Sequence, residues 1–433
     1  MSQTRKILVL GGAGFIGSAL VARLCADGHQ VTGLGRNVGR AQRQHPDVEF
    51  VQADLSRMQS PEDWTALVEG HDVIVNSAGA LQDGLQDDLA AVQERAMLAL
   101  YQAAGLAGDR LVIQISARLD GGGRDLAFLK TKGRADAALK SSGLDHVILR
   151  PALVVGRNAH GGTALLRALA AFPRYLPLMH GGRPVQTVAL EDVAEAVARA
   201  VDGRIAAGAD LDLAAEPEMT LEEAVTAHRK WLGLPAAKSV VNVPQWLARP
   251  VAALADIAGR LGWRSPLRST AMAVMADGVT RRPDGDGAPF KLKNLTKTLG
   301  EHPAGVQDLW FARLYLLKAP ILLALSMFWL TSGLVPLVRY AVAAAHFEAF
   351  LSPGPALIAV LAASLLDVAL GLGVLYRPAA RLALLAMIVT SLVYLLAASF
   401  AQPVLWLDPL GPLVKVLPSL GLTLVALAIL DER

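Results

Sequence analysis

The sequence is poor in cysteine, in aromatic residues and in charge. A single cysteine, Cys25, stands among 433 residues, which excludes an internal disulfide and any paired-cysteine metal site. His, Asp and Glu nowhere fall at metal-ligand spacing, so no metal is expected. Cys25, in VARLCADG, reads as part of the buried face of a helix. Aromatic residues make up 5% and charged residues 18%, whereas hydrophobic residues reach 53% and the mean hydropathy is +0.40. A chain this apolar is expected to place part of itself in lipid. Lysine and arginine exceed aspartate and glutamate by only 41 − 38 = 3. That excess gives no argument for nucleic acid; it suits the inner face of a membrane or a phosphate ligand. Residues 1–11 run directly into a strand and a glycine turn, without the features of a signal peptide. The N-terminal part is therefore expected in the cytoplasm.

What is present divides the chain into three. Residues 1–155 alternate short Val/Ile/Leu-rich runs with helical stretches. Strands are expected at Lys6–Leu10, His29–Leu34, Val48–Gln52, Asp72–Asn76, Arg110–Ile115 and Asp145–Arg150, with helices near 15–27, 84–107 and 125–142. This is the pattern of an α/β doubly wound parallel sheet, a Rossmann arrangement. Residues 156–305 read as a small α+β lobe on the substrate side plus a linker. The lobe has a strand at Val185–Ala189, a helix at Glu191–Val201 and a capping box at Thr220–Glu223, and it ends in the turn-prone Arg281–Gly287. Residues 306–433 hold four apolar stretches, 314–336, 355–376, 382–400 and 412–430, each near the ~20 residues that span a hydrocarbon core. They are expected to form an all-α four-helix transmembrane bundle.

Orientation follows from basic residues at the ends of the spans. Arg281, Arg282, Lys291, Lys293, Lys297 and Arg313 precede the first, and Arg377 and Arg381 lie in the second connection. The other connections carry Arg339 and Lys415 with Glu348 and Asp408. The bias predicts a multi-pass protein of the inner, cytoplasmic membrane, with both termini and the Rossmann domain in the cytoplasm. Asp367 falls near the middle of the second span, where a carboxylate costs several kcal/mol unless paired or protonated. Two readings stand: a functional group, with Lys318 or Arg313 as a candidate partner, or an interhelical hydrogen bond that fixes packing.

The strongest local signal is Gly11-Gly12-Ala13-Gly14-Phe15-Ile16-Gly17, directly after the first strand and opening a helix. In that context a GxGxxG turn binds a dinucleotide: Gly12 and Gly14 let the backbone approach the pyrophosphate, and Gly17 permits close helix packing. Gly11, Gly12, Gly14, Phe15, Ile16 and Gly17 are thus candidate cofactor residues. After the second strand, where an NAD site carries Asp or Glu, the chain reads Gly35-Arg36-Asn37, with Arg40 a turn further on. A guanidinium at Arg36 suits a 2′-phosphate, so NADP is favoured and NAD is the alternative; Arg36 as a solvated loop charge is the competing reading.

Residues 1–200 resemble the short-chain dehydrogenase/reductase superfamily in its extended or atypical branch. The resemblance rests on the glycine turn, Ala53-Asp54-Leu55, Asn76-Ser77-Ala78-Gly79, Ile115-Ser116, Lys132 and Arg150-Pro151 in family order, and on Val188–Ala194. In style the segment is similar to the NADPH-binding accessory subunit of respiratory complex I. By resemblance, Asp54 and Leu55 lie at the adenine, Asn76, Ala78 and Gly79 line the cofactor, and Pro151 borders the nicotinamide. Ser116 and Lys132 would be the remaining catalytic residues, Lys132 also holding the ribose. The family's tyrosine, four residues before that lysine, is replaced by Phe128. A phenyl ring donates no proton, so ordinary carbonyl reduction loses an effect commonly worth about 10²–10⁴-fold. Whether the chain is an enzyme is left open by this replacement. Hydride transfer to a quinone or other lipophilic molecule survives it; so does a non-catalytic role in scaffolding, assembly or redox sensing. His160 and His180, in glycine-rich loops, are either substrate contacts or plain loop residues. From 308 onward, Arg313–Lys318 and Asp408–Lys415 resemble the DoxX-like family of small membrane proteins, whose relatives imply a bilayer and a membrane redox complex as partners.

Overall fold

The computed structural model describes residues 3–79, 82–85, 88–119, 126–347 and 351–431. The six expected strands form as β1 Lys6–Leu10, β2 Gln30–Gly35, β3 Glu49–Gln52, β4 Val73–Asn76, β5 Leu111–Ile115 and β6 Asp145–Pro151. They pair in parallel, in the order β6-β5-β4-β1-β2-β3. Their centres are apolar on both faces because helices cover both: Ile7, Val9, Val75 and Ile113 pack on one side, Leu8, Leu10, Ile74 and Val112 on the other. The chain crosses over between β3 and β4, which leaves a crevice at the carboxyl ends of β1 and β4.

Two strands from beyond residue 155 extend this sheet. Asp210–Leu213 pairs with β6, and Asp286–Gly287 pairs with Asp210–Leu213, both parallel. The turn-prone Arg281–Gly287 segment is therefore bound into the sheet rather than left as a free linker. Its anchor is Arg282, whose guanidinium reaches Asp212 at 3.0 Å and Asp210 at 3.0 Å. The single strand expected at Val185–Ala189 divides at Gln186 into Pro184–Val185 and Thr187–Ala189, which pair with different neighbours. The capping box forms as read: Glu223 N–H donates to Thr220 Oγ1 at 3.1 Å and Thr220 N–H to Glu223 Oε2 at 2.7 Å. The helix expected from 84 takes shape as a π-helical turn Ala91–Arg95 followed by Ala96–Ala107. Residues 86–87, the first residue of the helix expected at 125–142, and Glu348 lie outside the described residues.

Compact contacts divide the chain into two units. The first holds residues up to Gly259 and Ser265–Ala312; the second holds Arg260–Arg264 and Arg313 onward. Among the described residues of the second unit, three helices are long and apolar enough to cross a membrane: Lys318–Val338, Pro353–Gly373 and Arg377–Ala401. The fourth apolar stretch, expected to be as long, is helical only over the 13 residues Val416–Ala428. At 1.5 Å per residue that is roughly 20 Å, short of a ~30 Å core. The cause is the Asp408–Lys415 segment, where Gly411 takes φ +57° and Pro412 follows it. The chain nevertheless returns to its starting end, because the Leu430 carbonyl accepts from Lys318 Nζ at 2.9 Å and Arg377 Nη2 at 3.3 Å.

Small residues set the closest approach in this bundle. A Cβ on Gly333 would lie 2.5 Å from the Ser364 carbonyl oxygen, and one on Gly371 2.8 Å from Leu330. Lys318–Val338 and Pro353–Gly373 therefore touch backbone to backbone, as small residues permit in apolar bundles.

Candidate cofactor site

The glycine turn is compressed to a degree no side chain would allow. A Cβ on Gly12 would stand 2.9 Å from Gly33 Cα, and one on Gly17 2.1 Å from the Gly11 carbonyl oxygen. Gly11 has φ +73° and its N–H donates to Leu34 at 2.8 Å, while Gly12 N–H reaches the same carbonyl at 3.1 Å. The turn is thereby stitched to the end of β2, the strand that Arg36 directly follows. Gly14 caps helix Phe15–Ala26 with extended backbone and no side-chain hydrogen bond. The first-turn N–H groups at Phe15 and Ile16 thus meet no capping side chain, a fit for a pyrophosphate.

The neighbouring loops converge on this turn. Ser77 N–H and Oγ both donate to the Leu10 carbonyl, at 3.0 and 2.7 Å, which brings Ala78 against Gly11. Asn76 is buried; its amide donates to Gln114 at 2.9 Å and its Oδ1 accepts from Ala78 N–H at 3.0 Å. It shapes the Ala78–Gly79 loop rather than presenting its own side chain. Asp54 follows Ala53, whose N–H donates to Gly35, and its Oδ1 accepts from Ser56 N–H and Oγ. Leu55 is buried beneath. Phe15 stacks on His160, ring centroids 5.4 Å apart, so His160 borders the glycine helix. His180, at φ +60°, lies in a turn joined to the start of the Leu221–Trp231 helix through Glu222 N–H to Gly181. Pro151 ends β6 opposite Leu213.

Phe128, Lys132 and Asp136 repeat at four-residue spacing along helix Ala127–Ser141, and so share one face. Lys132 Nζ donates to the Ile115 carbonyl at 2.9 Å and lies 3.7 Å from where a Cβ on Gly79 would sit. The lysine therefore stands beside the cofactor loop. Burial, and secondarily Arg150, push its ammonium down to about 8, against the opposing pull of Asp136.

Ser116 is placed differently from a free carbonyl-orienting hydroxyl. It is buried, donates to Asp136 Oδ2 at 2.6 Å and accepts from Arg150 Nη1 at 3.1 Å. Arg150 also pairs with Asp136 at 2.8 Å and Asp210 at 2.7 Å, and Lys140 and Arg282 complete the cluster on Asp210. Burial opposes ionisation of Asp210, but Arg150 and Lys140 hold its carboxyl well below the usual carboxylate range. Asp136 and Asp210 were not legible as partners of Arg150, nor Asp212 as a partner of Arg282. The one hint is an arginine inside the otherwise apolar run His146–Pro151.

In the second unit, Asp367 pairs with hydroxyls rather than with Lys318 or Arg313. Ser332 Oγ donates to its Oδ2 at 2.7 Å and Tyr394 Oη to its Oδ1 at 3.0 Å. One carboxylate thus ties all three long helices together.

Residues 11–204 match the NAD(P)H-binding family and residues 326–424 the DoxX-like family. An uncharacterized protein of Mycobacterium tuberculosis is 27% identical over 222 residues, 51% of this chain and 23% of that protein. The dTDP-6-deoxy-L-talose 4-dehydrogenase (NAD(P)(+)) of Kitasatospora kifunensis is 36% identical over 114 residues, 26% of this chain and 31% of that enzyme. The chain thus spans only about a quarter to a third of the length of these curated relatives. Among solved structures, the Bordetella bronchiseptica enzyme WbmG in complex with NAD has the same fold, with TM-score 0.50 and 17% identity over 69% of this chain and 93% of that one. The N-terminal part is an NAD(P)-binding Rossmann domain. The chain joins it to a DoxX-like membrane domain whose three long apolar helices suggest association with a bilayer.

Proposed function

We propose that the protein is a membrane-anchored NADP(H)-dependent oxidoreductase whose acceptor is lipophilic, such as a quinone. The observation that carries this reading is the pairing of Lys132 beside the cofactor loop with Phe128 in place of a proton donor. A reduced nicotinamide supplies a hydride when bound. A quinone taking that hydride and one solvent proton becomes the quinol, and its intermediate oxyanion needs no tyrosine. In this reading Gly11, Gly12, Gly14, Phe15, Ile16 and Gly17 hold the pyrophosphate, and Arg36 meets the 2′-phosphate. Asp54 and Leu55 lie at the adenine, and Ala78, Gly79 and Pro151 line the nicotinamide half, with the loop shaped by Asn76. Lys132 holds the ribose, and Ser116, bound to Asp136, is part of the ion cluster that holds the domain together.

The basic ends support a cytoplasmic Rossmann domain on the inner membrane. Lys318 and Arg377 share their end of the bundle with Leu430, so chain entry and exit lie on one side. Assembly into a membrane redox complex fits the same placement. A second reading is non-catalytic, NADPH serving as a structural or sensing ligand; the commitment of Ser116 to Asp136 favours it.

Intact protein in lipid, given NADPH and a quinone, decides between the two. Stoichiometric NADPH oxidation with quinol formation, depressed in Lys132→Ala, is expected. Tight NADPH binding with no oxidation by any quinone or carbonyl would establish the second reading instead.

A further inference from the structure

Helix Gln245–Arg260 turns its apolar side outward. Its buried positions are small, Ala248, Ala252 and Gly259, the last of them against the Arg268 side chain. Trp246, Leu247, Val251, Leu254 and Ile257 are exposed, Trp246 by 72% and Leu254 by 65%. At 3.6 residues per turn these five fall within an arc of roughly 140°. Arg249 and Arg260, both exposed, run along one border of that arc. A helix that buries alanines and exposes tryptophan and leucine leaves its hydrophobic face for another phase.

The end of this helix shows which phase. Residues Arg260–Arg264 belong to the second unit. Arg377 N–H donates to the Leu261 carbonyl at 3.0 Å, and Trp263 Nε1 donates to the Leu375 carbonyl at 2.7 Å. Lys318 and Arg377 lie over the Trp263 ring, at 5.6 and 5.4 Å. Those two residues open the Lys318–Val338 and Arg377–Ala401 helices. The chain thus runs directly from this helix into residues 260–264, which the second unit holds at its basic span ends, and an indole flanked by cations is a common interfacial anchor.

We infer that helix Gln245–Arg260 is an interfacial membrane helix, its Trp246–Ile257 stripe in the headgroup–acyl boundary and Arg249 and Arg260 on anionic phosphates. The inference rests on the apolar helices crossing a bilayer. The ligand chemistry is an anionic lipid surface, chosen over a second copy of the chain because the arginine border and the continuity with the span ends complement it.

The test uses the full-length chain with Cys25→Ala, reconstituted into phosphatidylcholine–phosphatidylglycerol vesicles. An environment-sensitive fluorophore is placed on Leu254→Cys, on Leu323→Cys within the first span, or on Asp284→Cys in the Arg281–Gly287 turn. Lipid brominated near the headgroup should remove roughly half or more of the Leu254 emission, since such helices sit about 5–10 Å into the boundary. It should leave the Asp284 label untouched. Quenching at Leu323 but a water-exposed, unquenched label at Leu254 overturns the inference and spares the membrane reading. An unquenched Leu254 label, together with unlabelled Leu254→Cys thiols that a mild oxidant joins as a disulfide between two copies, makes the stripe a dimer contact, which also overturns it. No quenching at Leu323 removes both.

Discussion

Ser116 donates its hydroxyl proton to Asp136 at 2.6 Å, across 20 residues of sequence, from the residue that follows β5 to the helix that carries Lys132. A serine expected to steer a substrate carbonyl is instead held inside the domain by an acid that is also ion-paired to Arg150. Ser116→Ala should therefore leave quinone-dependent NADPH oxidation nearly unchanged. It should lower stability by about 1.5–3 kcal/mol, the range for a hydrogen bond to a charged group. Parallel activity and thermal-unfolding measurements separate the two effects; a large fall in kcat with unchanged stability would return Ser116 to the reacting centre.

The ion cluster around Arg150 makes a second prediction. Asp136 and Arg150 are both nearly inaccessible, so Asp136→Asn strips Arg150 of one of its two carboxylates, Asp210 remaining, and should cost about 1.5–3 kcal/mol. Asp210 adds a pH dependence. Its folded-state value is depressed, so its contribution is complete above the unfolded value of about 4 and is lost as pH falls further. The stability gap between wild type and Asp210→Asn should narrow as acid unfolding is followed below about pH 4. A gap that stays constant would mean that Asp210 does not carry its charge into the cluster.

Phe128→Tyr restores a proton donor one helical turn before Lys132. Reduction of small carbonyls should rise, toward the low end of the 10²–10⁴-fold range for a general acid, because Ser116 stays committed to Asp136. Carbonyl turnover that stays at background, with NADPH binding intact, would show that the pocket no longer admits such substrates.

Lys132 gives the cofactor site a pH signature. With its ammonium pushed down to about 8 by burial, and felt by both Asp136 and Arg150, it is charged at neutral pH and neutral in alkali. A bound polyanion favours the charged form, so NADPH affinity should fall, by at most tenfold per pH unit, as pH rises above about 8. Titrations from about pH 6 to about pH 10 check this, and Lys132→Arg should flatten the profile. A flat wild-type profile would separate Lys132 from the cofactor.

Much of this molecule was legible in its sequence, and the limits have physical causes. β1 to β6 came within a residue or two because continuous Val/Ile/Leu runs alternate with helical patterns, and the glycine turn was legible because its spacing is local. The Arg150 cluster was not. Its partners Asp136 and Asp210 lie 14 and 60 residues away and meet only once the sheet has closed. Asp210–Leu213 and Asp286–Gly287 escaped notice because strands of four and two residues carry no usable periodicity. The last apolar stretch looked long enough to span because hydropathy does not register how Gly411 and Pro412 delay the helix. Asp367 was singled out correctly as unusual, yet its hydroxyl partners Ser332 and Tyr394 belong to other helices.

The cofactor site is tested most directly by titrating the full-length protein in lipid with NADPH and with NADH, followed by fluorescence. The account predicts saturable binding of both, tighter for NADPH, with the preference lost in Arg36→Ala because a guanidinium no longer meets the 2′-phosphate. Equal affinity in the wild type would contradict the assignment of Arg36. No binding of either nucleotide would contradict the reading of the Gly11–Gly17 turn itself.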